Sequence, residues 1–149
     1  MIQIVKDADT RPWFFLQTAH TTYGMRVMET GHLEHLYYGE RITVDSQDPA
    51  SCAPLVIQRA FAPGNTCTYD REHPQISMED VCLEVGTLGK GDIREPFLEV
   101  RFADGSVTSD FTFDSYKIIT LKEREQCLQD SGLPHSYSEV ETDSAECLQ

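Results

Sequence analysis

Apolar and polar positions alternate along much of the chain with a period of two, and no long stretch keeps the 3.6-residue period of a helix. Trp13-Phe14-Phe15-Leu16-Gln17 is a short aromatic and aliphatic run that suits a sheet. In Tyr23-Gly24-Met25-Arg26-Val27-Met28 the residues Tyr23, Met25 and Val27 share one face. Thr30-Gly31 interrupts the pattern and Leu33 to Tyr38 resumes it, which predicts a hairpin. Tyr38-Gly39-Glu40 reads as a further turn, followed by a brief strand over Arg41-Ile42-Thr43-Val44.

From Asp45 to Pro54 the chain is polar and rich in turn formers. Leu55-Val56-Ile57 is expected as a strand that Ala62-Pro63-Gly64-Asn65 ends, and Thr66 to Ser77, without a period, as a long loop. Phe97 to Phe102 and Val107 to Phe113 alternate around Asp104-Gly105, the strongest short hairpin signature. Tyr116 to Leu121 supplies another strand, Lys122 to Gln129 a turn or two of helix, and Gly132-Leu133-Pro134 a stop. Roughly eight short strands with frequent turns predict an all-β fold of two packed antiparallel sheets, a supersandwich-like β-sandwich. Beyond Pro134 no closing strand is evident before Gln149, so the sandwich is expected to be incomplete at its C-terminal end.

A length of 149 residues suits one domain with a substantial core. The formal charge is −13, from 25 acidic and 12 basic residues, and such a surface repels phosphate backbones and anionic lipid. Nucleic acid and membrane are therefore poor partners, whereas a neutral ligand such as a sugar is unaffected. No apolar run is long enough to span a bilayer, and Met1 to Asp7 lacks the layout of a secretion signal, so the cytoplasm is expected. Cys52, Cys67, Cys82, Cys127 and Cys147 are odd in number and form no Cys-x-x-Cys, which predicts free, mostly buried thiols.

His32-Leu33-Glu34-His35 has the residue types of a zinc hydrolase motif but not its spacing. On a strand, positions three apart face opposite ways, so these histidines read as ordinary strand residues. Asp110 and Asp114, beside Phe111 and Phe113, read as the solvent face of a strand and not as a carboxylate pair for glycoside hydrolysis. No local Cys/His pattern supports a thiolate nucleophile. Gly86, Gly89 and Gly91 miss the dinucleotide fingerprint and read as a turned or mobile loop. In Gly91-Asp92-Ile93-Arg94-Glu95-Pro96 a glycine and a proline bracket a charged loop. Asp92 and Arg94 are the candidate residues there, either presented to a sugar or a neighbouring subunit, or paired with each other to fix the loop.

The stretch Arg26-Val27-Met28-Glu29-Thr30-Gly31-His32-Leu33-Glu34-His35-Leu36-Tyr37-Tyr38-Gly39 resembles the opening of the bacterial α-galactosidases of glycoside hydrolase family 36. Gly91-Asp92-Ile93-Arg94 with Phe97-Leu98-Glu99-Val100 is similar to a later Gly-Asp-aromatic-Arg segment, with Ile93 where the family has an aromatic. Asp104-Gly105-Ser106 and Gly132-Leu133-Pro134 follow in the family's order, so the resemblance runs from about Phe14 to Glu141. It implies an N-terminal β-sandwich that precedes a (β/α)₈ barrel and a C-terminal β domain in a retaining enzyme. In that enzyme two barrel aspartates do the chemistry without metal or organic cofactor. None of the barrel motifs occurs here, so no catalytic residue is carried over. The resemblance also implies a homo-oligomer in which this domain approaches a neighbour's active site, with Asp45 to Ser77 and the Asp92 loop as the places of contribution. The function expected is an accessory domain that packs on the barrel, supports oligomerisation and shapes the entrance for α-galactosides. The alternative is a stand-alone carbohydrate-binding module.

Overall fold

Trp13, Phe14, Phe15 and Leu16 are apolar at both odd and even positions, so a strand built from them is stable only if both its faces are covered. In the computed structural model, which describes residues 1–57, 68–92, 95–119 and 147–148, that condition is met. The run forms β2 (Pro12–Gln17), flanked by β1 (Ile2–Lys6) and β3 (Thr21–Val27), with β4 (Leu33–Glu40) outside β3. The sheet order is β1-β2-β3-β4 and every pairing is antiparallel. On one face Trp13 and Phe15 pack with Val5, Val44 and Cys52, backed by Leu36, Ile42, Leu55 and Val56. On the other, Phe14 meets the rings of Phe113 and Tyr116 at centroid separations of 5.9 and 5.1 Å. Each such buried aromatic contributes about 1.5–3 kcal/mol. The fold is thus all-β and antiparallel, layered as a sandwich around β2.

Close approach explains one glycine in the sheet. Phe15 lies across its partner Gly24, and a Cβ there would sit 3.1 Å from the Phe15 ring. The β3–β4 turn needs another: Met28 N donates to His32 O, and Gly31 takes φ 82° in the left-handed region. A register shift between Gly24 and Met25 marks a bulge in this pair.

Several expectations are corrected. Ile2 to Lys6, which the alternation reading passed over, is β1. Tyr38-Gly39-Glu40 is no turn but the end of β4, paired with Thr21 to Tyr23. Gly39 is there because the Tyr37 ring folds over it and donates to Glu40 O at 2.9 Å. Arg41 to Val44 is not a strand. It crosses the sheet face and is held by side chains: Gln17 donates to Ile42 O (2.8 Å), Gln3 to Val44 O (2.7 Å), and Ile42 N to Thr22 Oγ1 (3.1 Å). Leu55 closes a 3₁₀ helix, Pro49–Leu55, instead of opening a strand. Asp48 caps it by accepting from Ala50 N, and Pro49 stands at its first turn, where a missing N–H costs nothing.

The Asp104-Gly105 turn forms, with Phe102 N donating to Ser106 O at 2.9 Å, but no ladder extends from it among the described residues. Among the described residues no strand pairs across this turn: Phe102 is 46% exposed and Phe111 47%, so the cross-strand pairs that stabilise a hairpin are missing, and Phe113 packs on Phe14 instead. Residues 68–77 form a turned loop closed by one bridge, Thr68 to Ser77. Short pairings complete the chain: β5 (Thr87–Leu88) with β6 (Gly91–Asp92), and β7 (Ile118–Ile119) with β8 (Cys147–Leu148). The expected helix over Lys122 to Gln129, and the stops at Ala62 to Asn65 and Gly132 to Pro134, lie outside the described residues.

Candidate functional site

Polar side chains gather where later segments dock on the β3–β4 hairpin. Leu33 O accepts from Glu84 N (2.9 Å) and His35 N donates to Cys82 O (2.7 Å), which brings Glu84 over the sheet face. Tyr23 of β3 donates its hydroxyl to one Glu84 oxygen, and the other lies 3.1 Å from His35 Nδ1. Burial, then the Glu84 carboxylate, push the Tyr23 hydroxyl well above its ordinary pKa.

The second cluster spans the hairpin turn. His32 Nδ1 lies 2.9 Å from Thr30 Oγ1, and Nε2 lies 2.7 Å from Asp110 Oδ1. Tyr69 donates to Asp110 Oδ2 at 2.9 Å, while Lys90 Nζ stands 4.0 Å from that oxygen and 4.7 Å from the Tyr69 ring centroid. Burial and then Asp110 raise the Tyr69 pKa. Hydroxyl, imidazole and carboxylate in line have the composition of a nucleophile triad. Thr30 and His32 are both buried, and both Asp110 oxygens are engaged by protein groups, so the arrangement does not present a hydroxyl to a substrate. It works as a strap: Phe113 N donates to Gly31 O at 2.7 Å, and Thr112 packs on Gly31.

This corrects one reading and adds to another. His32 is a buried residue of the turn, not of a strand, while Asp110 is exposed, as expected of a solvent-face acid, and in addition serves as the partner of His32. No local pattern announces a pair 78 positions apart in the chain. His32 and His35 bind separate carboxylates, and among the described residues no group of three or more His, Cys, Asp or Glu is placed to hold a metal ion. Cys52 is buried, which pushes its thiol pKa up, whereas Cys82 is exposed.

A cavity of about 310 Å³ opens between the β1–β2 turn, the start of the β3–β4 hairpin and the segment around Ser77. Arg26 Nε bonds the nearly buried Glu34 at 2.7 Å, and its guanidinium lies 5.2 Å from the Trp13 ring centroid. Arg11 pairs with Asp7 at 2.9 Å and with Asp9 at 2.6 Å. Burial alone would raise the Asp7 pKa, but its bonds from Arg11 outweigh that and hold the carboxyl below its usual range. Asp92 ends β6 in the turn that follows β5, with its backbone bridged to Leu88. Arg94 lies outside the described residues.

An antiparallel sandwich whose described polar groups mostly fasten its own segments is the profile of a structural or binding domain. The chain belongs to the glycosyl hydrolase family 36 N-terminal domain family, which it matches over residues 31–148. It is 34% identical over 127 residues to the bifunctional alpha-galactosidase/sucrose kinase AgaSK of Mediterraneibacter gnavus, covering 85% of this chain and 12% of that protein. It is 30% identical over 131 residues to alpha-galactosidase AgaA of Geobacillus stearothermophilus, covering 88% of this chain and 16% of that one. The crystal structure of the alpha-galactosidase from Lactobacillus brevis superposes with a TM-score of 0.63 at 33% identity, over 78% of this chain and 14% of that one. The chain thus spans only 12–16% of the length of the two curated relatives.

Proposed function

We propose that residues 1–149 are one non-catalytic N-terminal sandwich domain of an α-galactosidase-like retaining glycoside hydrolase, which removes terminal α-galactosyl residues and acts in the cytoplasm. The match of residues 31–148 to the family's N-terminal domain carries this reading. The names of the relatives, all α-galactosidases, supply the activity. In this reading the domain packs on a catalytic barrel through apolar positions such as Phe97 and Phe111, which water otherwise meets. It supports assembly of a homo-oligomer, and the turn carrying Asp92 and the following Arg94 shapes the substrate entrance. The two polar clusters support a structural role, because they bind the later segments to the hairpin and leave no group poised on a substrate.

Hydrolysis of a chromogenic α-galactoside tests the reading, assayed with this chain alone and with a longer polypeptide that carries it before a barrel. Activity is expected only in the longer protein, and turnover by the 149 residues alone would overturn the non-catalytic assignment. In the longer protein, Asp92→Ala and Arg94→Ala are expected to raise KM for raffinose with kcat little changed. An unchanged KM in both would remove these residues from the entrance.

A further inference from the structure

Thr87 and Lys90 close a tight turn: Thr87 N donates to Lys90 O (3.2 Å), Lys90 N donates to Thr87 O (3.1 Å), and Gly89 between them takes φ 81° in the left-handed region. The turn leads from β5 into β6, where Asp92 is bridged back to Leu88. Three consecutive residues that lead into the strap, Thr108, Ser109 and Asp110, each meet it. Thr108 packs on Gly89, where a Cβ would stand 3.2 Å from the threonine methyl. Ser109 O accepts from Thr87 Oγ1 at 2.5 Å, and Asp110 Oδ2 lies 4.0 Å from Lys90 Nζ. These contacts differ in what they can fix. The Lys90 and Asp110 side chains are 33% and 31% exposed, so water and salt weaken their attraction. Packing of Thr108 on Gly89 has no preferred direction. Thr87 is only 1% exposed, and its hydroxyl has a single hydrogen to donate, with Ser109 O at 2.5 Å and Lys90 O, in its own turn, at 3.3 Å. The shorter bond takes that hydrogen. It is directional, and removing the donor would leave a buried carbonyl unpaired.

We infer that Thr87 is the positioning residue of the β5–β6 turn: its hydroxyl, by bonding Ser109 O, fixes where the turn sits on the strap and so where the backbone of Asp92 stands. The strap itself is anchored from the other side, since His32 and Tyr69 both bond Asp110 and Gly31 O accepts from the Phe113 amide. A continuous set of contacts thus runs from the β3–β4 hairpin through the strap to the turn. The hold on the turn stands on this geometry alone; its consequence for substrate rests on the reading above, in which the turn shapes the entrance. In that reading the reacting groups lie outside this chain, so a misplaced turn raises KM and leaves kcat.

Thr87→Val keeps the branched shape and deletes the hydroxyl, whereas Thr87→Ser keeps the hydroxyl. In amide proton–nitrogen spectra of the 149-residue chain, Thr87→Val is expected to displace the Lys90, Gly91 and Asp92 signals, and Thr87→Ser to leave them close to the parent. In the longer polypeptide, Thr87→Val is expected to raise KM for raffinose about two- to tenfold with kcat little changed, and Thr87→Ser to restore it. Tyr23→Phe, which loses its bond to Glu84 in the other polar cluster, is expected to lower the melting temperature without moving KM. Added to whichever of Asp92→Ala and Arg94→Ala raises KM, Thr87→Val is expected to raise it little further, because both act through one turn. Unmoved amides from Lys90 to Asp92 in Thr87→Val would overturn the positioning role. So would a KM no higher than that of Tyr23→Phe, or fully additive effects, where Asp92→Ala or Arg94→Ala does raise KM. If neither of those two variants raises KM, the entrance reading alone fails, because the amide signals still decide whether Thr87 holds the turn.

Discussion

Thr10 holds φ at 66° in the turn between β1 and β2, a region that β-branched residues rarely enter. The turn imposes it: Asp7 O accepts from Thr10 N, Asp7 N donates to Arg11 O, and the Asp7 carboxylate accepts from Asp9 and Arg11 amides. Nothing in a threonine announces that conformation, because the closing residue, not the strained one, carries the signal. Thr10 is exposed, so Thr10→Asn is expected to stabilise the chain by about 1 kcal/mol, read from the urea midpoint at unchanged slope. Tyr23 provides a second test. Its folded-state pKa is raised above the unfolded value of 10.0, first by burial and then by Glu84. The stability it contributes is therefore complete below pH 10 and is lost as pH rises beyond that. Tyr23→Phe is expected to cost about 1 kcal/mol at neutral pH through the lost bond to Glu84. The variant is also expected to melt with a shallower alkaline decline than the parent, and parallel declines would sink the assignment.

The elements of the fold were legible where burial was demanded from both sides. Trp13 to Gln17 suited a sheet and forms β2, and Thr30-Gly31 marked the β3–β4 turn, where Gly31 takes its left-handed φ. Legibility stopped where partners are remote. The alternation around Asp104-Gly105 looks as good as that around Thr30-Gly31, yet among the described residues only the second has a neighbouring strand, β2, to hold it in a sheet. Crossing segments were misread for a related reason. Arg41 to Val44 has the composition of a strand, but Gln3, Gln17 and Thr22 satisfy its backbone from the sheet face. For the candidate site, the sequence reading took His32 and His35 as ordinary strand residues and looked to Asp92 and Arg94, and nothing local pointed to the Asp110 and Glu84 that partner the two histidines. The strap to Asp110 is accordingly an element-scale claim. Asp110→Ala leaves His32 buried without its carboxylate and is expected to cost about 2 kcal/mol. Hydrogen exchange should show where: the Phe113 amide, bonded to Gly31 O, is expected to exchange faster, while amides of the β2–β3 ladder slow or speed only with global stability. Uniform acceleration across both would mean that Asp110 stabilises the whole chain and fastens nothing in particular.

At the scale of the molecule, one surface carries two opposed tendencies. Twenty-five acidic residues keep copies of the chain apart at neutral pH, while Phe97, Phe102 and Phe111 meet water on a segment that forms no strand among the described residues. Repulsion of this kind is long-ranged and depends on pH, whereas apolar contact is short-ranged and does not, so acid shifts the balance between them. Net charge vanishes near pH 4.6, and there the exposed rings meet without opposition. Asp7, held below its usual carboxylate range by Arg11, keeps its charge and its hold on the β1–β2 turn there, because a depressed folded pKa withdraws stability only as pH falls through it. Light scattering is therefore expected to rise as pH approaches 4.6 while near-ultraviolet circular dichroism keeps its native shape, so that the chain associates before it unfolds. Replacing Phe97 and Phe111 together by serine separates the two terms, since it leaves the titration of charge untouched. The double variant is expected to stay clear through the same interval. If it scatters as strongly as the parent, loss of charge alone governs solubility and the exposed rings contribute nothing.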